Sequence, residues 1–270
     1  LEPEDSESIN LGIVLEPGFI PGLTLTADFW RVKQRGLVGT FGDDNAIALD
    51  LLRRLSGSSN PSVVRADPTQ EQIDLFAGTS LAPAGEILFV NDPYLNLDSR
   101  TSKGWDFGLF YNVPDFGIGK VRLRFNAARL ESFVQSAGTD GQELLDGIAD
   151  GLLPPEVVVG GLGQLLEIDG RPKWRFSSSV NWDAGPVDLS LFASYVGKVW
   201  NTSVSRDVPI VSDDPNANFY RLDDFLTMNF SIGYTIENDT ALDGTRLRFG
   251  INNLLGEDPP LADDTYGFLS

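Results

Sequence analysis

Charged side chains recur at every second position along several segments of this sequence. That spacing places them on one face of an extended strand, where opposite charges on neighbouring strands can form ion pairs. No two of the carboxylates can be assigned to one pocket from spacing alone, so the pattern does not predict an acid–base catalytic pair. The set comprises Arg122, Arg124, Arg175, Arg246, Arg248, Asp28, Asp106 and Asp188.

Composition excludes several classes of function. The 270 residues carry 39 acidic and 20 basic side chains, for a net charge of -19, and contain neither His nor Cys. Without these two residue types the chain has no Ser-His-Asp triad, no thiolate or imidazole metal site and no disulfide. The negative charge disfavours a nucleic-acid partner. We expect no enzymatic activity, no cofactor and no metal.

The chain contains no apolar run long enough for a transmembrane helix, but its pattern is compatible with transmembrane strands. It opens with the acidic segment "LEPEDSESIN", which is unlike a signal peptide. We therefore expect a chain that is processed or that begins within a longer protein.

Apolar and polar residues alternate with a period of two in eight segments. Each segment predicts a strand with one apolar and one polar face. In the last one, Leu247, Phe249 and Ile251 oppose Arg246 and Arg248. The segments are 9–15, 23–31, 104–112, 121–127, 174–182, 187–195, 226–236 and 246–252.

The connections between these segments are alternately short and long. Tight turns are predicted at 17–22, 114–119, 183–186 and 237–244, and long loops at 40–100, 135–170, 203–222 and from 256 onward. This alternation is typical of outer-membrane barrels, which have short periplasmic turns and long extracellular loops. Two helices are predicted within the first long loop. One spans 44–57, with Asp43 or Asp44 as its N-cap and Gly57 as its stop, and the other spans 69–78.

A soluble antiparallel sandwich has the same alternation and is the competing interpretation. Aromatic residues favour the barrel, because they lie near both ends of the apolar faces, where a lipid-facing barrel carries two aromatic girdles. They are Trp105, Tyr111, Trp174, Trp182, Tyr195 and Tyr234. The predicted fold is all-β, a transmembrane antiparallel up-and-down β-barrel with about eight strands in this chain and long extracellular loops.

The segment "RLRFGINNLLGEDPP" resembles the penultimate-strand region of TonB-dependent outer-membrane receptors. In that family a strand ends in Asn-Asn-Leu, followed by an acidic residue and a proline pair. "SINLGIVLEP", "IPGLTLTADFWRV" and "SRTSKGWDFGLFYNVP" are similar to other barrel strands of the family. The motif residues in this chain are Asn252, Asn253, Leu254, Pro259 and Pro260.

The resemblance implies that residues 1–270 are the C-terminal part of a 22-stranded barrel whose plug domain is not present in this chain. It implies a location in the bacterial outer membrane. The implied partners are membrane lipid, the plug, the remaining strands and the TonB energising complex. The eight charged residues named first would then line the lumen and contact the plug, with the five arginines near the periplasmic turns and the three aspartates on the same interior face. A solvated polar lining is the plainer alternative.

Ligand capture would fall to the long loops, where paired aspartates occur beside aromatic residues. Such groups bind a sugar by stacking and hydrogen bonding, or Ca²⁺ through oxygen ligands, although none has EF-hand spacing. Acidic solvated loops are again the plainer alternative. The candidate ligand contacts are Asp214, Phe219, Tyr220 and Tyr266.

The function that the resemblance implies is ligand binding at the loops, followed by import driven through the TonB complex. A passive porin and a self-contained eight-stranded barrel with a structural or adhesive role are the alternatives. The ligand class stays open among siderophore, cobalamin, saccharide and peptide.

Overall fold

Long antiparallel strands dominate the structure, a computed structural model that describes residues 1–79, 81–115, 117–154, 157, 159–205 and 219–260. Three helices lie in the connections: α1 (Asp43–Leu55), α2 (Gln70–Phe76) and α3 (Gly138–Ala149). The strands are β1 (Asp5–Leu15), β2 (Leu23–Arg35), β3 (Val38–Gly39), β4 (Val63–Arg65), β5 (Ile87–Val90), β6 (Leu95–Asn96), β7 (Ser99–Val113), β8 (Lys120–Gln135), β9 (Gly163–Gln164), β10 (Trp174–Ala184), β11 (Val187–Val196), β12 (Val199–Ser205), β13 (Phe219–Leu222), β14 (Phe225–Thr235) and β15 (Arg246–Ile251).

Eight strands of one nine-stranded sheet run up and down in the order β1-β2-β7-β8-β10-β11-β14-β15, and every neighbouring pair is antiparallel. The short strand β9 adds to the end of β8. The eight up-and-down strands are those that the alternating pattern predicts, so the predicted fold class is confirmed. Among the described residues, β1 and β15 each have a strand partner on one side only. The sheet is therefore an open wall rather than a closed barrel.

The sheet has one apolar and one polar face because the register keeps the two residue classes apart. One continuous row of directly paired positions runs through Ile13, Ala27, Phe107, Ala127, Phe176, Tyr195 and Leu226. Many side chains of this face are exposed, Leu11 by 67% and Phe249 by 61%. An apolar surface of this extent needs a covering partner or lipid. We call this the outward face and the opposite one the lumen face.

Aromatic residues border the outward face at both ends, as the sequence predicts. Trp105 and Trp174 lie toward the long connections, and Phe29 packs against Trp105 with 5.2 Å between ring centroids. Trp182, Tyr111 and Tyr234 lie toward the short turns. There the indole N–H of Trp182 donates to the carbonyl of Ile118 at 2.6 Å.

The long connections at one end of the wall contain their own small hydrophobic core. Helices α1 and α3 pack together through Leu49 and Leu144, neither of which has exposed surface. Glu143 and Asp140 accept hydrogen bonds from Arg53, and these contacts, with that to Glu143 the stronger, raise the pKa of Arg53. Helix α3 lies in a segment for which the sequence predicted only a loop.

The two predicted helices of the first long connection are confirmed, but the predicted N-cap of α1 is wrong. Gly42 is the N-cap, and Asp43 and Asp44 lie in the first turn. The carboxylate of Asp92 accepts the N–H groups of Phe41 and Gly42 at 3.0 Å, so a residue distant in sequence holds this end of the helix. In α2, Thr69 and Gln72 form a capping box. Within the described ranges, none of the three helices is long and apolar enough to cross a membrane.

Replacing Leu49 by alanine should destabilise the α1–α3 pair by about 2–5 kcal/mol, because a fully buried leucine leaves a cavity. Faster amide hydrogen exchange in both helices, with unchanged exchange in β2 and β7, would show this. Leu75→Ala in α2 is the matched control, since Leu75 is 73% exposed. Equal effects of the two substitutions would contradict the assignment of Leu49 to a core.

Candidate functional site

Ion pairs join neighbouring strands on the lumen face near the short turns. Arg122 of β8 and Asp183 of β10 approach to 2.6 Å, with each side chain about half exposed. Their positions are diagonal in the sheet, because Arg122 pairs directly with Asn181. Exposed pairs of this kind contribute at most about 1 kcal/mol, so this one contributes little to stability.

Asp188 of β11 reaches across β14 to two arginines of β15. Its carboxylate lies 2.6 Å from Arg246 and 3.5 Å from Arg248, although Gly233 stands between the strands. A Cβ atom on Gly233 would lie 2.2 Å from Oδ1 of Asp188. The missing side chain at Gly233 therefore makes room for an ion pair between strands that are not neighbours.

Asp28 uses the same arrangement at the edge of the wall. A Cβ atom on Gly12 of β1 would lie 2.0 Å from Oδ1 of Asp28, so this carboxylate also extends over a glycine. Asp28 pairs directly with Asp106 of β7, which places two carboxylates opposite each other on the lumen face. Like charges in directly opposed positions are destabilising. Within the described ranges neither carboxylate forms an ion pair.

The predicted position of Arg175 near the short turns is wrong. Arg175 is the second residue of β10, at the end that carries the long connections, and donates to the carbonyl of Gly170 at 3.2 Å. The prediction failed because Arg175 lies at the start of β10, whereas the short turn follows the other end of that strand, after Ala184. Asp28 and Asp106, for which only the interior face was predicted, lie in mid-strand. Arg124 pairs directly with Phe110 and Ser179, away from the ion-paired groups.

A polar cavity of about 640 Å³ lies between the long connections and the adjoining ends of β7 and β8. Arg100 and Gln135 contribute to it from directly paired positions, and Nε of Arg100 donates to Oε1 of Gln135 at 2.9 Å. The guanidinium groups of Arg100 and Arg171 both lie over the ring of Phe133. The polar lining side chains include Asn60, Ser62, Asn91, Asn96, Arg100 and Gln135, together with the carboxylates Asp92, Asp98 and Asp140.

Two of the four predicted ligand contacts, Asp214 and Tyr266, lie outside the described residues. Phe219 and Tyr220 were predicted in a loop, but they belong to β13, which pairs with β12. Tyr220 is 43% exposed and pairs directly with Asn201. None of the cavity's lining residues was predicted from sequence, because no motif links segments as distant as 60, 91 and 135.

The predicted motif at the end of β15 forms a turn that is held to β14. Asn253 has a φ of +51°, and its N–H donates to Oδ1 of Asn229 at 2.9 Å. Its side chain binds the backbone of Glu257 through both its amide nitrogen and its amide oxygen. The N–H of Leu254 donates to the carbonyl of Met228. Asn253 suits this position because Asn adopts positive φ more readily than most residues.

The described arrangement contains ion pairs and a polar cavity but no metal-binding cluster of three or more carboxylates. Its groups can bind charged and hydrogen-bonding partners on the lumen face and beneath the long connections.

Comparison with solved structures gives matches that cover most of this chain. The ferric enterobactin receptor PfeA of Pseudomonas aeruginosa, in a mutant form, is 13% identical, with a TM-score of 0.47, and the match covers 93% of this chain and 26% of that one. The siderophore receptor PirA of Acinetobacter baumannii is 14% identical, with a TM-score of 0.48, and the match covers 94% of this chain and 28% of that one. The ferripyoverdine receptor of P. aeruginosa is 12% identical, with a TM-score of 0.49, and the match covers 95% of this chain and 24% of that one. This chain thus spans about a quarter of the length of these proteins.

Among curated protein sequences, none matches this chain. The sequence profile of one protein family, described as TonB dependent receptor-like, beta-barrel, matches residues 1–254. That match covers all eight strands of the wall and the Asn252-Asn253-Leu254 turn. The chain therefore belongs to the family of TonB-dependent receptor-like β-barrels.

Proposed function

We propose that residues 1–270 form the C-terminal part of the barrel of an outer-membrane receptor that imports a scarce ligand with energy from the TonB complex. The observation that carries the proposal is the two-faced wall, whose outward face is apolar and whose lumen face is polar. In hydrocarbon every backbone polar group needs a partner, so both edge strands require further strands. Those strands and a plug domain belong to the rest of the same protein.

Ligand capture in this proposal takes place in the cavity between the long connections and the ends of β7 and β8. Its volume of about 640 Å³ lies in the usual range of small-molecule sites. Its amide, hydroxyl and guanidinium groups lie beside the carboxylates Asp92, Asp98 and Asp140, so the lining favours a polar ligand that both donates and accepts hydrogen bonds. Phe219 and Tyr220 lie on the β12–β13 pair, outside the lining of this cavity, and stay candidate contacts from the sequence.

The lumen-face charges serve in this proposal to hold the plug. Asp28 and Asp106 repel each other in the described structure, and a basic side chain of the plug would relieve that repulsion. Asp188 is already bound to Arg246 and Arg248, so it contributes to the wall itself. The lumen face would thus combine a rigid part near the turns with carboxylates that stay available to the plug.

The first test is the mass of the native polypeptide and the energy dependence of uptake. We expect a denatured mass roughly three times the 29.4 kDa of this chain, as a plugged 22-stranded barrel requires. Cells that produce the complete receptor would be offered labelled ferric siderophores, cobalamin, oligosaccharides and peptides. At least one probe should accumulate, and a protonophore should stop its accumulation. Accumulation that continues under the protonophore would indicate a passive porin instead.

Replacing Thr139 by tryptophan should lower the affinity for the accumulated probe by about tenfold or more, because the new ring would occupy the cavity that Thr139 lines. Titration calorimetry with the purified complete receptor measures this affinity. Gln142→Trp is the matched control, since Gln142 lies on the same helix but outside the cavity lining. If both variants bind the probe like the unmodified receptor, the cavity is not the capture site.

Replacing Asp28 and Asp106 together by asparagine distinguishes a plug contact from a solvated lining by the sign of the effect. If a basic group of the plug binds these carboxylates, the complete receptor should lose about 1–3 kcal/mol of stability. If only water surrounds them, removal of the repulsion should stabilise the receptor. Chemical denaturation measures the change, and Glu237→Gln with Asp239→Asn, in the exposed β14–β15 turn, is the control.

A further inference from the structure

A row of basic side chains follows directly after the apolar part of the outward face, at the end that carries the long connections. On β2, Phe29 is the last apolar outward position and Arg31 is the next one, and on β7 Lys103 follows Trp105 in the same way. On β8, Arg129 follows Ala127. We call this set the outward basic row; its members are Arg31, Lys33, Arg35, Lys103 and Arg129.

Carboxylates neutralise only part of this row. Glu7 pairs with Arg35 at 3.2 Å and Glu131 pairs with Lys103 at 3.3 Å, while Asp5 lies directly opposite Arg35. In the described ranges Arg31, Lys33 and Arg129 form no ion pair. The five cations therefore exceed the three carboxylates, in a chain whose overall net charge is -19.

The register also brings like charges together. Arg31 and Lys103 occupy directly paired positions of β2 and β7, which is unfavourable unless an anion lies near both. Beside them Glu7, Ile9, Arg31, Lys33 and Arg35 surround a hollow of about 230 Å³, several times the roughly 30 Å³ that a water molecule occupies. This geometry provides room for an anionic group between the cations.

The position of the row indicates where that anion belongs. Arg129 is held over the ring of Trp174, with 5.5 Å between Cζ and the ring centroid, and Trp105 lies in the same row of paired positions. Tryptophan marks the level of the lipid headgroups in membrane proteins. Arginine is well suited to phosphate because its planar guanidinium offers several donors. The cations thus lie at the depth at which lipid phosphates occur.

We propose that the outward basic row binds the phosphorylated headgroup of a membrane lipid in the leaflet on the side of the long connections. The proposal rests on the proposed membrane-spanning function, since only a wall in lipid exposes this face to headgroups. The bound phosphate accepts hydrogen bonds from Arg31 in the hollow and relieves the repulsion between Arg31 and Lys103. Arg129, over the ring of Trp174, adds a further cation to the same headgroup level. Simple extension of long basic side chains into water would show no preference for the headgroup.

Native mass spectrometry of the complete receptor in detergent tests the proposal, with phosphatidic acid and phosphatidylcholine of identical acyl chains as probes. We expect tighter binding of phosphatidic acid. Replacing Arg31 and Arg129 by glutamine should weaken it about 30-fold, because each basic group near an anionic headgroup contributes roughly fivefold. Binding of phosphatidylcholine should change little.

The matched control is Arg100→Gln with Arg175→Gln, which removes two arginines from the same end of the wall but from its lumen face. An equal loss in both double variants, or no preference for phosphatidic acid, would overturn the proposal. Competition by millimolar inorganic phosphate would indicate a site for the free ion and would also overturn it. The proposed membrane-spanning function fails separately, if the complete receptor is not recovered in the outer-membrane fraction of the cells, so the two failures are distinguishable.

Discussion

Backbone hydrogen bonding in hydrocarbon is the constraint on which the rest of this structure depends. A strand in lipid must pair on both sides, and its side chains must alternate between an apolar and a polar environment. In this chain the antiparallel order extends from β1 to β15, with a register shift between β7 and β8 at Lys103 and Gly104, and apolar residues of eight strands meet on one face. The charged residues can occupy the opposite face only because the period of two holds over each strand.

The lumen face shows how a wall of this kind accommodates charge. Asp188 and Asp28 both extend over a glycine of the adjacent strand, and the space left by Gly233 lets one carboxylate reach two arginines of the strand beyond. Gly12 occupies the equivalent place beside Asp28, on an edge strand. In both places a carboxylate extends over a glycine of the adjacent strand. Near the turns Asp188 forms ion pairs, whereas in mid-wall Asp28 and Asp106 have no counter-charge among the described residues. The ion pairs of Asp188 stabilise the wall, and the carboxylates of Asp28 and Asp106 fit a basic partner.

The long connections differ from the wall in how they are held together. Helices α1 and α3 bury Leu49 and Leu144 in a small hydrophobic core of the kind found in soluble domains. Asp92, from a distant segment, accepts hydrogen bonds at the N-terminal end of α1. Both helices also line the polar cavity, and Arg100 and Gln135 line it from the lumen face of the wall. The cavity and the lumen face are therefore adjacent, as the proposed import of a ligand through the barrel requires.

The sequence by itself determined the strands, their faces and the family, because a period of two and the Asn252-Asn253-Leu254 motif are local properties. It also located α1 and α2 from their apolar patterns and stop signals, although the N-cap of α1 is Gly42 and neither of the predicted aspartates. It could not locate α3, whose helix depends on packing against α1, nor the end of the wall on which Arg175 lies. The cavity, the paired Asp28 and Asp106, and the row formed by Arg31, Lys103 and Arg129 were decided by tertiary structure alone. Strand register brings these residues together, and register depends on contacts between segments that are far apart in the chain.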